Sequence, residues 1–304
     1  MDRPSFVIEP SEAKSMAENS NLTVLQLLQS LVKPAQTLAR PPISNFPVGA
    51  VGYGSSGRIF IGVNLEFPGL PLHHSVHAEQ FLVTNLSIND EARLEYIAVS
   101  SAPCGHCRQF LQEIREAPEI KILITSPEQK NDEKKFDPLL QLLPHRFGPG
   151  DLLGTHMPLL LEPRQNGLSF PVETQNVCNG EKATVVQLKC AALEAANKSH
   201  APYSGCPSGV AILDRDGKIF KGSYMESAAY NPSMGPVQAA LVAFIAGGGG
   251  GYENIVAAVL VEMEGAKIKQ EHTARLILES ISKDCEFRAF VCCSGLDDCK
   301  NVSS

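Results

Sequence analysis

PPISNFPVGAVGYGSSGRIFIGVNLE, residues 41–66, is echoed by APYSGCPSGVAILDRDGKIFKGSYME, residues 201–226, at a constant offset of 160 residues and without a gap. Gly49 matches Gly209, Gly57 matches Gly217 and Phe60 matches Phe220. Gly62 matches Gly222, and Glu66 matches Glu226. Self-similarity of this kind marks a duplicated structural unit. Each copy reads as a β-hairpin: a short apolar run, a GSSG or DRDG reversal, then IFIGVNL or IFKGSYM. Glycine suits the reversal because a positive φ costs it no steric clash.

The flanking segments repeat too. A helix is expected before each hairpin, over roughly 21–40 and 182–198. Val24, Leu27, Leu28 and Leu31 recur at helical spacing in the first, and Val185, Leu188, Ala192 and Ala195 or Ala196 in the second. After the first hairpin the pattern predicts a helix over 77–86, a strand over 96–100 and a helix over 105–117. That last helix carries Phe110, Leu111, Ile114 and Ala117 on one face and stops at Pro118, before a strand over 119–125. The second half predicts a helix over 237–246, a strand over 255–262, a helix over 271–282 and a strand over 286–292. The expected fold is α/β, two tandem domains, each a mixed β-sheet flanked by helices. An N-terminal extension takes residues 1–20, the first domain 21–155, a linker 156–180 and the second domain 181–304. SPEQKNDEKK (126–135) reads as a loop. GGGGG (247–251) reads as a flexible turn without the strand, helix and Lys-Ser/Thr context of a phosphate cradle.

The 304 residues suffice for two ordinary cores. With 43% hydrophobic and 19% charged residues, the composition is that of a globular protein. A formal net charge of -7 argues against a nucleic-acid polymer as partner and for a small-molecule substrate. The start, MDRPSFVIEPSEAKS, lacks the basic and apolar regions of a secretory leader, and no stretch reads as a membrane span. A cytoplasmic protein is expected, with its nine cysteines mostly reduced. Cys292, Cys293 and Cys299 near the tail read as free thiols.

The chemistry gathers in the first half. His77-Ala78-Glu79 opens one predicted helix, and Pro103-Cys104-Gly105-His106-Cys107 opens another. Cys-x2-Cys spacing places two thiolates on one metal, and a helix start favours anionic sulfur. His77 would complete a three-ligand zinc site. Three protein ligands leave one position for water, whose pKa falls from near 16 to roughly 7 on zinc. Glu79, two residues from His77, stands close enough to move protons without binding the metal. H-x-E followed by P-C-x-x-C is the signature of zinc-dependent nucleobase deaminases. The alternative is a closed structural Cys2His2 centre, with His106, His73 or His74 as fourth ligand.

The second copy does not reproduce this set. Counting from Glu226 with a one-residue gap puts Pro236 at the His77 position and Gln238 at that of Glu79. Aligning ARLILESI (274–281) with CRQFLQEI (107–114) puts Glu271 and Ala274 at the cysteine positions. The second domain is expected to keep the fold and lose the metal, serving as packing. Phe46 becomes Cys206 and Asn64 becomes Tyr224, while Glu226 persists, which suggests a structural hydrogen bond in that copy.

SNFPVGA (44–50), GVNLEF (62–67), VHAEQ (76–80), PCGHCRQFLQE (103–113) and LPHRFGPGDL (143–152), in that order, resemble the cytidine deaminase family. The resemblance covers nearly the whole chain. It is to the long homodimeric form with a degenerate C-terminal domain, and especially to its plant members. It implies one Zn2+ per chain, in the N-terminal domain, on His77, Cys104 and Cys107, with Glu79 as proton shuttle. It also implies Phe46 against the pyrimidine ring, Asn64 and Glu66 on the ribose 3′-hydroxyl and the Ala78 backbone on the base carbonyl. Phe147 would help to close the neighbouring subunit's site in a homodimer. The implied reaction converts cytidine and 2′-deoxycytidine to uridine and 2′-deoxyuridine with release of ammonia, a step of nucleoside metabolism such as pyrimidine salvage. The residues fit: Asn64 and Glu66, at i and i+2 of a strand, face one side and can grip one sugar edge. Three other readings share parts of the pattern: a polynucleotide cytosine deaminase, a deaminase of another small amine and a non-enzymatic zinc protein.

Overall fold

The computed structural model describes residues 5–126, 135–171 and 183–294. They divide into two compact units, Met1–Glu162 with Ser227–Pro232, and Pro163–Glu226 with Ser233–Ser304.

In the first unit, β1 (Val7–Ile8) and α1 (Pro10–Asn19) precede α2 (Val24–Gln36). Thr23 starts α2 with a reciprocal cap: its Oγ1 accepts from Gln26 N–H at 3.3 Å, and Gln26 Oε1 accepts from Thr23 N–H at 2.8 Å. Leu27, Leu28, Val32 and Ala35 bury the inner face of the helix. The expected hairpin follows as β2 (Gly49–Gly54) and β3 (Ile59–Val63), reversing at Gly57 with φ +84°. Next come α3 (Ala78–Ile88), β4 (Leu94–Val99), α4 (Gly105–Phe110), β5 (Lys121–Ile124), β6 (Asp137–Pro138), α5 (Leu139–Leu142) and α6 (Pro149–Leu152). The sheet order is β1-β3-β2-β4-β5-β6, with β4 and β5 parallel and the other pairs antiparallel.

Helix α3 is buried continuously from Ala78 to Leu86, polar residues included. It lies against β3 so closely that a Cβ at Gly62 would stand 2.2 Å from the Ala78 carbonyl oxygen. Only glycine permits that approach. The second copy repeats it: a Cβ at Gly222 would stand 2.4 Å from the Pro236 carbonyl oxygen. One packing demand therefore explains one of the repeated glycines.

The helix expected over 105–117 is shorter. After Phe110 the chain tightens into a single 3-10 turn, Leu111–Glu113, and Ile114 is extended and bridges Leu160. Glu116 is left-handed, with φ 59°, and Pro118 opens another short turn. Proline disfavours a helical residue before it and has no N–H to give. The Glu113 carbonyl instead accepts from Leu160 N–H at 2.9 Å. Phe110, Leu111, Ile114 and Ala117 are still buried, on a broken backbone rather than one helix face.

In the second unit, β7 (Leu168–Ser169), α7 (Ala183–Asn197), β8 (Ser208–Asp214), β9 (Ile219–Ser223), α8 (Pro236–Ala246), β10 (Ile255–Met263), α9 (Glu271–Ile281) and β11 (Glu286–Ser294) form the echo. Its sheet order is β7-β11-β10-β8-β9, with β10 and β11 parallel. Leu188, Ala192 and Ala196 of α7 pack on Ala211, Val259 and Val261 of the sheet. Helix α8 is apolar except for Gln238 and is buried from Pro236 to Ile245, as an interior helix must be.

Cys104, Cys107, Cys190, Cys206 and Cys285 are free thiols. Cys299 and most of the 126–135 loop lie outside the described residues. Among the described residues no helix is long and apolar enough to cross a membrane.

Candidate metal centre and active site

Two helix starts meet, as the sequence leads one to expect. His77 is the N-cap of α3, and Cys104 is the N-cap of α4, with Cys107 in that helix's first turn. Cys104 Sγ and Cys107 Sγ are 3.7 Å apart, and His77 Nδ1 is 3.5 and 3.3 Å from them. A tetrahedral zinc ion with ordinary Zn–S and Zn–N bonds needs donor separations of about 3.8 Å between sulfurs and about 3.6 Å from sulfur to nitrogen. The three donors therefore fit zinc without rearrangement. Among the described residues this is the one such cluster, and His73, His74 and His106 are outside it. His106 stacks on the His77 ring, with centroids 5.1 Å apart. The closed four-ligand alternative has no histidine in place.

The electrostatics fit a cation. Hydrogen bonds from Cys107 and His77 hold the Cys104 thiol down at about 3. The same Cys104 contact, with burial, pushes Cys107 well above the thiol range. Cys104 raises His77 against the opposing effect of burial. Glu79 is 4% exposed, and burial pushes its carboxyl up. Cys107 Sγ donates to Glu79 Oε2 at 3.3 Å.

A cavity of about 590 Å³ opens beside these groups. Phe46, Asn64, Glu66, His77, Ala78, Glu79 and Cys104 all line it. Phe46 is 59% exposed. Phe147 is exposed and is not among the lining residues; its carbonyl accepts from Gln109 Nε2. Asn64 and Glu66 have a role that their spacing did not reveal. Asn64 Oδ1 accepts from Val48 N–H at 2.8 Å, and its Nδ2 donates to the Phe46 carbonyl at 3.0 Å. Glu66 accepts from the N–H groups of Ile43 and Ser44, both at 2.9 Å, and from Ser44 Oγ at 2.5 Å. Burial raises the Glu66 carboxyl, but these Ser44 and Ile43 bonds outweigh it and leave the pKa lowered. Both side chains thus hold the loop that presents Phe46. Ser44 recurs as Ser204 at the repeat offset, a sequence signal of this clamp.

The second copy makes the same clamp. Glu226 accepts from Tyr203 and Ser204 N–H at 2.8 and 3.1 Å, which accounts for its persistence. The metal positions need a correction. Leu65 bridges Val76, and Met225 bridges Met234, so the intervening loop is two residues shorter in the second copy, not one. Gly222 meets Pro236 and Ala240 as Gly62 meets Ala78 and Leu82. His77 therefore corresponds to Gly235, Glu79 to Val237 and Gln80 to Gln238. A one-residue gap had matched the polar Gln238 to Glu79; the backbone register places a buried valine there.

Known proteins match the chain along its length. The family model described as the cytidine and deoxycytidylate deaminase zinc-binding region matches residues 23–123, and a second of the same description matches residues 139–275. Cytidine deaminase 1 of Arabidopsis thaliana is 63% identical over 299 residues, 96% of this chain and 99% of that protein. Cytidine deaminase 6 of the same organism is 51% identical, over 94% of this chain and 97% of that one. A relative named probable inactive cytidine deaminase 4, also from Arabidopsis thaliana, is 41% identical over 94% of this chain and 95% of its own length. Unlike the second copy, the first carries the complete His77, Cys104 and Cys107 set with Glu79 behind it. The chain belongs to the cytidine deaminase family, with two tandem domains, the second of which lacks the metal ligands.

Proposed function

We propose that this chain hydrolytically deaminates cytidine and 2′-deoxycytidine to uridine and 2′-deoxyuridine, releasing ammonia, with one zinc ion held by His77, Cys104 and Cys107. The observation that carries the reading is a three-donor cluster of zinc dimensions with a buried carboxyl, Glu79, at the wall of a nucleoside-sized cavity. Zinc in such a seat activates water as a nucleophile near neutral pH.

The chain's own groups do the rest. Glu79 takes a proton from the attacking water and delivers it to N3, which makes C4 more electrophilic. It then carries the remaining proton of the hydroxyl added at C4 to the departing amine, which leaves as ammonia as the C4 carbonyl forms. The Ala78 backbone, in the first turn of α3, orients the base carbonyl, and Phe46 covers the ring face. Asn64 retains one Nδ2 hydrogen after its bond to Phe46, and Glu66 retains acceptor capacity. Both can serve the ribose 3′-hydroxyl while holding the loop.

The partner is a free nucleoside rather than a polynucleotide, in keeping with the net charge of -7. The exposed Phe147 is assigned to a homodimer contact that closes the neighbouring site, and the protein to the cytoplasm. The test is loss of the cytosine absorbance band together with ammonia release, using zinc-loaded protein. Turnover of both nucleosides supports the reading, and no turnover by folded, zinc-loaded protein overturns it.

A further inference from the structure

The six residues Ser227–Pro232 come from the second sequence repeat, yet they belong to the first structural unit. Ser227 and Ala228 are buried, and the turn is held by Tyr230 N–H to the Ser227 carbonyl at 2.8 Å. Two buried hydrogen bonds tie this segment down. Ala228 N–H donates to Glu113 Oε1 at 2.7 Å, and Gln80 Nε2 donates to the Pro232 carbonyl at 3.1 Å.

The two anchors sit on the two ligand-bearing elements. Glu113 ends the turn that directly continues α4, the helix of Cys104 and Cys107. Gln80 lies in the first turn of α3, and its Oε1 accepts from the backbone N–H of His77 at 3.2 Å. Its amide therefore passes from the segment to the ligand: the donor end is fixed by Pro232, which aims the acceptor end at His77. Gln238, the counterpart of Gln80 in the second copy, has a buried Oε1 with no partner among the described residues. The amide recurs in both copies, but only in the first is it strung between a segment and a metal ligand.

We propose that Ser227–Pro232 is a strap that fixes the spacing of the two zinc-bearing helix starts, with Gln80 and Glu113 as its positioning residues. This rests on the reading that His77, Cys104 and Cys107 hold the metal. It also gives the metal-free repeat a reason to persist, because the segment that sets the active repeat's ligand geometry lies within it.

The test is zinc affinity of the full chain by chelator competition, with the cobalt-substituted protein read by its thiolate-to-metal absorption. Losing an outer partner of a metal ligand typically costs 10- to 100-fold in metal affinity. Gln80→Met and Glu113→Leu are each expected to weaken zinc by about that range and to shift the cobalt spectrum. Glu113→Gln keeps an acceptor for Ala228 and is expected to rescue. Because both arms act through one strap, the double variant Gln80→Met/Glu113→Leu should fall no further than the more damaging single change.

Folded single variants that bind zinc like wild type, or a double variant whose loss is the product of the two, would overturn the strap. Should Glu113→Leu fail to fold, wild-type affinity in Gln80→Met overturns it and a loss supports it. A wild-type chain that takes up cobalt without thiolate absorption would overturn the metal reading, and the strap with it.

Discussion

The Glu79 carboxylate accepts from the Cys107 thiol at 3.3 Å, so a buried carboxyl touches a donor sulfur of the cluster without being one of the three donors. That arrangement separates holding the metal from moving protons. Glu79→Gln keeps the size and removes the titrating group. It is expected to retain zinc and to lower kcat by about 10²- to 10⁴-fold, the usual span for general acid–base catalysis. Zinc content and steady-state kinetics on one preparation check this. A variant that turns over at the wild-type rate would remove Glu79 from the proton path.

Metal removal should be visible in stability as well as in rate. Cys104 is exposed and Cys107 is buried, so Cys104→Ala removes a ligand without opening a core cavity. A ligand that binds only the folded state adds about 2.7 kcal/mol at a hundred times its Kd. Zinc is therefore expected to raise the unfolding midpoint of the chelator-treated wild type, to restore its turnover, and to do neither in Cys104→Ala. Equal zinc-dependent shifts in both proteins would place the ion elsewhere.

The duplicated α/β plan was readable because it rests on short-range signals. Hairpin glycines and helical spacing both act within a few residues. The ligands were readable because metal chemistry restricts residue types so narrowly. What escaped was decided at long range. The helix over 105–117 has an intact apolar periodicity, yet a bond from Leu160 to the Glu113 carbonyl ends it early. The two-residue shortening before Met234 leaves no trace in local pattern and emerges only from strand and helix register. The family resemblance implies a sugar contact for Glu66, and its i, i+2 relation to Asn64 says which way it faces, but neither says which backbone groups it also holds.

The loop-holding role of Glu66 and its proposed sugar contact can be separated by comparison with its copy. Glu226 holds its loop with the same two backbone N–H bonds, but no ligand set accompanies it. Hydrogen bonds to a charged group contribute about 1.5–3 kcal/mol each. Glu226→Ala, which loses two such bonds, is expected to lower stability in denaturant titration by about 3–6 kcal/mol and to leave KM unchanged. Glu66→Ala should lose comparable stability and also raise KM, more for nucleosides bearing a 3′-hydroxyl than for those lacking it. A stability loss with an unchanged KM would leave Glu66 as a loop clamp alone.

Acid should weaken the first unit through Glu91, which is 1% exposed beneath the β2–β3 reversal. Burial raises its carboxyl, but bonds from Ser56 and Ser55 and the Arg58 guanidinium at 3.0 Å outweigh it and hold the pKa below the usual value. A carboxyl depressed by folding stabilises fully above its unfolded pKa of about 4.3, and that contribution fades as pH falls through the folded value. Breaking a buried ion pair from one side costs about 3–5 kcal/mol. Glu91→Ala is expected to lose stability of that order at neutral pH, where Arg58 is left without its carboxylate. The difference between wild type and variant should then narrow below about pH 4. Urea midpoints of both proteins across that range provide the check. A gap that stays constant with pH would mean that the side chain contributes through packing and not through its charge.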